Sequence, residues 1–190
     1  MSLPLTGPLP DSVEAAGERI CIRTDFRVGI RFALLMEDGE IPQMQKLALM
    51  LRMYYPQLPR DLEAGIGGIL WFYRCGAAEK HQGNSGGSGP SLFSYRQDGG
   101  LIYAAFLEQY GIDLTETELH WWKFRALLEG LRQDCLFRQV VGWRAAPLSD
   151  RMTKEERALL RARKALYRLP DNRSQEQRQA DFEETMARGF

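Results

Sequence analysis

Few residues of this chain have the types and spacing that chemistry needs. Its two histidines are His81, inside a Gly/Ser-rich stretch, and His120, beside Trp121 and Trp122. Neither has a second His or Cys at ligand spacing, so no zinc site or other metal is expected. His120 as a general base needs a proton-relay partner that the linear sequence does not display. Cys21, Cys75 and Cys135 are odd in number and far apart, with no CxxC. They read as free thiols of a reducing compartment, at least two of them buried. Asp113, Glu116 and Glu118 resemble a carboxylate cluster, but capping of a following helix accounts for all three. The chain has no G-x-S-x-G and no dinucleotide fingerprint, and Gly65-Ile-Gly-Gly lacks the GK[ST] of a phosphate loop. The expectation is no catalytic residue, no cofactor and no enzyme.

Binding chemistry has more support. Arg157, Arg161, Lys164 and Arg168 recur at i, i+4, i+7 and i+11, a basic face that could follow a nucleic-acid backbone. Glu155 and Glu156 dilute it, and a charge run on one helix face is ordinarily just its solvated side. Leu49 and Met53 lie off the buried stripe of their helix, with Met50 close to it. Together with Met36 and Met44 they make a methionine-rich region of the kind that adapts to partners. Trp122 reads either as core or as an exposed anchor, since tryptophan is enriched at binding hot spots.

The elements that must position these residues are helical. Thr24 or Asp25 caps a first helix through Phe26, Ile30 and Leu34, ended by Asp38-Gly39. Pro42 opens a second, with a buried stripe of Met44, Leu47, Leu51 and Tyr54. Asp61 caps a third; Gly65, Gly67 and Gly68 each cost it about 1 kcal/mol relative to Ala, so a neighbouring helix should approach closely there. Asp98 caps a fourth, stopped by Gly111. Next comes the stretch around which the rest is arranged, residues 111–131. Thr115 and Glu118 form a capping box, and the double tryptophan gives the helix two apolar stripes, so it should be covered on both sides. A fifth short helix, capped by Asp134, ends at Pro147. Thr153 and Glu156 repeat the capping box and open a long helix to about Leu169. Its apolar face is Leu159, Ala162, Leu166 and Leu169, opposite the basic row.

The predicted fold is therefore all-α, or mainly α: a single compact domain of about six helices around a central Trp-rich helix, with one short extended piece near Ile20. Residues 1–19 should be a flexible arm and 20–148 the helical core, with 76–91 a flexible Gly/Ser loop. Residues 149–190 should supply the basic amphipathic helix and a polar tail. With 190 residues, 44% hydrophobic and Lys+Arg 25 balancing Asp+Glu 25, composition favours neither nucleic acid nor a membrane surface. No apolar run reaches the roughly 18–20 residues that span a bilayer. The opening Met1-Ser-Leu-Pro lacks the pattern of a signal peptide, and the cysteine usage, fitting a reducing compartment, makes a bacterial-type cytoplasm the expectation.

Thr24-Asp-Phe-Arg-Val, Trp71-Phe-Tyr-Arg-Cys-Gly, Ile102-Tyr-Ala-Ala-Phe and Tyr110-Gly-Ile-Asp-Leu through His120-Trp-Trp-Lys-Phe to Leu127-Leu-Glu-Gly-Leu resemble the bacteriophage gene-product-fifteen family, from about Ile20 to Leu169. The Ile-Asp-Leu…His-Trp-Trp-x-Phe block is the most specific part. The resemblance implies a helical phage or prophage protein of the tail-morphogenesis cluster, working in the host cytoplasm. By position and size such proteins look like tail assembly chaperones that bind the tape-measure protein. It carries over no catalytic residue. Leu49, Met50, Met53 and Trp122 are then the candidate partner-binding residues, with self-association left open. A small nucleic-acid-binding protein using Arg157, Arg161, Lys164 and Arg168 is the alternative.

Overall fold

The computed structural model describes residues 5–77 and 92–170. His81, nearly all of the Gly/Ser stretch and the polar segment from Ser174 to Arg188 lie outside the described residues. Seven helices and one two-stranded sheet make up the regular structure among them, so the fold is mainly α. The chain divides into two compact units, one built on Pro10–Tyr73 and the other on Arg74–Leu169.

In the first unit, the expectation of a loose arm to residue 19 is corrected from Ser12 onward. β1 (Ser12–Ala15) and β2 (Glu18–Cys21) form an antiparallel hairpin, with Val13 paired to Ile20. Ala16 and Gly17 both have positive φ, 50° and 79°. Two such residues make the tight turn whose twist matches the strands on either side. Val13 and Ala15 are buried. An alternation of four residues is too short to stand out beside the prolines and glycines that precede it.

α1 (Phe26–Glu37) starts where sequence places it: the Asp25 carboxylate accepts the Arg27 N–H at 2.8 Å. α2 (Gln43–Tyr54) follows Pro42. α3 (Leu62–Tyr73) opens on Asp61, whose carboxylate accepts the Ala64 N–H at 3.0 Å. α1 packs on α2, α2 on α3, and α3 on β1. Two of the three α3 glycines, Gly65 and Gly68, are compensated by close approach, though not by a neighbouring helix. A Cβ on Gly68 would lie 2.8 Å from Val13 Cγ2 and 3.0 Å from the Tyr55 hydroxyl; one on Gly65 would run into Pro59. The Tyr55 hydroxyl, held at that distance, donates to the Gly65 carbonyl at 2.7 Å.

The second unit holds α4 (Tyr95–Tyr110), α5 (Trp121–Glu129), α6 (Leu136–Ala145) and α7 (Lys154–Leu166). α4 packs against α5 and α6, and α6 against α7. Ser94, not Asp98, caps α4, its hydroxyl accepting the Arg96 N–H. Asp98 lies a turn further in and is buried. Its two oxygens receive a forked pair of bonds from the Arg144 guanidinium at 2.6 and 2.9 Å. The same guanidinium donates to the carbonyls of Tyr167 at 2.7 Å and Leu92 at 3.1 Å. One arginine thus ties α4, α6 and the end of α7, and removing one partner of such a buried pair typically costs about 3–5 kcal/mol.

The central helix is shorter than its sequence suggests. Gly111, at φ 65°, ends α4 as expected. From there Asp113 accepts the Thr115 N–H at 2.8 Å and its hydroxyl at 2.6 Å, and the Tyr103 hydroxyl at 3.1 Å. A short acidic side chain that bonds its own following backbone stabilises a turn in competition with a helix. The Thr115–Glu118 capping box is therefore not formed, and α5 begins at Trp121. His120 is its N-cap, with Nδ1 accepting the Trp122 N–H at 3.0 Å. Trp121, Trp122, Phe124 and Leu128 are buried, and Phe124 stacks between Phe106 and Trp121 at 5.2 and 5.8 Å. The Trp-rich helix is a core element, as its apolar stripes require.

Candidate partner-binding surfaces

The outward face of α2 is set by where its anchors go. Tyr54 meets Phe32 and Phe72 edge-to-face, at 5.7 and 6.3 Å, which fixes it inside. Lys46 is also inside: its ammonium donates to the Met36 carbonyl at 3.0 Å, satisfying an orphan acceptor at the end of α1. Those two anchors rotate the helix away from the orientation its apolar residues alone suggest. Met50 becomes core at 2% exposure, while Met44, expected in the buried stripe, is 76% exposed. Leu49 is exposed and Met53 half-buried. The apolar outer surface of α2 is accordingly Met44, Ala48 and Leu49, edged by Met53 and interrupted by Gln45 and Arg52. Met50 is corrected: it has no surface to offer a partner. Trp122 is corrected for the same reason, being 5% exposed.

α7 is turned over relative to expectation. Its docked face is Arg157, Leu160, Lys164 and Tyr167. Arg157 donates to the Ser149 carbonyl at 2.9 Å and pairs with Asp150 at 3.1 Å. Lys164 donates to the Arg144 carbonyl at 2.9 Å, and Tyr167 lies against Trp143 with ring centres 5.5 Å apart. The capping box of Thr153 and Glu156 forms as the sequence specifies, with bonds of 2.9 and 3.1 Å. The helix exists where expected, but its basic row does not present as one face. Arg161 and Arg168 are exposed; Arg157 and Lys164 face inward. Long cationic side chains have apolar stems, and their heads find carbonyls at the ends of neighbouring helices. A wheel that scores them simply as polar puts them outside.

Cys75 and Cys135 are buried and Cys21 is exposed, all as free thiols. Burial pushes the Cys75 thiol up to about 11, so it stays protonated and unreactive near neutral pH. Among the described residues no group of three or more His, Cys, Asp or Glu is placed to hold a metal. No helix there is long and apolar enough to cross a membrane.

Fold and surface together describe a mainly helical protein with apolar side chains turned outward on α2 and α7. The chain belongs to the bacteriophage Gp15 family, described as Bacteriophage Gp15 protein, whose model matches residues 5–169. No curated protein and no solved structure matches it.

Proposed function

We propose that this phage protein is a tail assembly chaperone that acts in the host cytoplasm, by binding rather than catalysis, and shields amphipathic helices of the tape-measure protein until the tail tube covers them. Membership of the Gp15 family carries this reading. The outward side chains of α2 support it, because a chaperone that must release its client needs an adaptable apolar face rather than a rigid deep pocket. Met44 and Leu49, 76% and 43% exposed, would together contribute about 2–4 kcal/mol on burial. Micromolar binding needs about 8 kcal/mol after association costs, so α2 supplies only part of the contact. The alternative, nucleic-acid binding, loses its main support with Arg157 and Lys164 turned inward.

The test is co-expression with the tape-measure protein of the same phage, followed by pull-down. The expected result is a soluble complex, with the tape measure insoluble when expressed alone. A tape measure that is equally soluble without this protein, and is not retained by it, overturns the proposal.

A further inference from the structure

We propose that the outward face of α7 is a second docking surface, whose occupant is an amphipathic helix of another protein with acidic residues along one flank. Ala158, Leu159, Ala162, Ala165 and Leu166 are all exposed, Leu159 at 53% and Leu166 at 75%. At 100° per residue these five lie within about 60° of Ala162. The docked face of Arg157, Leu160, Lys164 and Tyr167 is diametrically opposite, so the packing among the described residues does not need the apolar stripe. Small residues at 158, 162 and 165 let a second helix approach closely, with Leu159 and Leu166 closing over it.

The charges beside the stripe choose the occupant. On one flank Lys154 and Arg161 lie seven residues apart, both exposed, and exposed Arg168 follows just past the end of the helix. On the other, the Glu156 carboxylate is committed to the Thr153 N–H and the Arg163 guanidinium lies 4.6 Å over the Trp143 ring. Glu155 closes the N-terminal end of the stripe. The free field is therefore positive along one edge, which attracts an acidic flank and repels a basic one.

A second copy fits this field poorly. An antiparallel pair centred on Ala162 brings Arg161 against Arg161. A parallel pair sets Arg161 beside Arg163. The area also argues against a self-sufficient dimer. A 13-residue helix is about 20 Å long and offers a strip about 10 Å wide. Two such strips fall well below the roughly 1,200 Å² that stable interfaces bury. The contact is weak, salt-dependent and reversible. It lies on a different element from the α2 face, so it stands or falls independently of the tape-measure reading.

The experiment uses the full chain and two labelled synthetic helical peptides with the same Leu/Ala stripe, one flanked by Glu and the other by Lys. In fluorescence anisotropy the Glu peptide should bind at least tenfold tighter than the Lys peptide at low salt, and lose most of that advantage at 0.5 M salt. Leu159→Ser with Leu166→Ser should abolish binding of the Glu peptide without moving the thermal midpoint, since both side chains are exposed. Arg161→Glu with Arg168→Glu should reverse the preference between the peptides. Equal binding of the two peptides, or binding unaffected by the leucine changes, overturns the proposal. So does a dimer by light scattering that the leucine variant dissolves, which would make a second copy the occupant. A labelled 20-nucleotide DNA strand that binds through Arg161 and Arg168 without needing the leucines would likewise replace it.

Discussion

Two side chains define what single residues contribute here, and both act on backbone rather than on a ligand. His120 caps α5 with a ring nitrogen in place of the usual hydroxyl or carboxylate. Replacement by Ala leaves the Trp122 N–H without that acceptor and should cost about 1 kcal/mol, while Asn or Asp should retain most of the stability. Thermal melting of the three variants checks this, and an Asn variant as unstable as Ala would rule the cap out. Tyr55 is the second. Its hydroxyl donates to the Gly65 carbonyl, and burial raises it from 10 to about 12. A raised value favours the neutral form in the folded state. The stabilisation is complete below about pH 10, where the unfolded phenol is still protonated, and is lost as pH rises towards 12. Tyr55→Phe should therefore be less stable than the parent at neutral pH, by about 1 kcal/mol for the lost bond, and should lose less of its remaining stability between pH 10 and 12. Identical alkaline unfolding curves would contradict this.

At the scale of elements, α3 offers a direct test of why a helix tolerates three glycines. Nothing lies within 4 Å of a Cβ on Gly67, whereas Gly68 presses on Val13 of β1. Gly67→Ala should stabilise by up to about 1 kcal/mol through helix propensity alone. Gly68→Ala should destabilise, because Val13 and the Tyr55 ring would have to move. Denaturant midpoints that shift in the same direction for both would show that packing against β1 is not the reason. Helix existence was legible in the sequence wherever a signal was local: Asp25, Asp61, Gly111 and the Thr153–Glu156 box sit where the structure uses them. Orientation was not legible, because it depends on partners distant in the chain. Lys46 turns α2 through a carbonyl at Met36, ten residues back. Arg144 fixes α6 through Asp98, forty-six residues away, and holds the end of α7 as well. The start of α5 failed for a third reason, since a turn at Asp113 competed with the cap and won.

At the scale of the whole molecule, the question is which surface holds the client, and the corrected orientation of α2 changes which variants can answer it. Met50 and Trp122 are core. Replacing Trp122 by Ala should cost about 3–5 kcal/mol, so any loss of capture in such a variant reports unfolding. Met44 and Leu49 are outward, and Met44→Ser with Leu49→Ser removes most of the apolar area that α2 presents while touching little of the interior. That variant should melt within a few degrees of the parent yet retain the tape-measure protein several-fold less well in pull-down. The loss should persist at high salt, because apolar contact is not screened. Arg161→Glu is the complementary control, exposed and outside the docked face of α7, and it should hold the tape measure as well as the parent does at both salt concentrations. Lys164 cannot serve, since its ammonium supports the Arg144 carbonyl. If the α2 variant captures the tape measure as fully as the parent at both salt concentrations, the client binds elsewhere, and the apolar outer surface of α2 has no part in holding it.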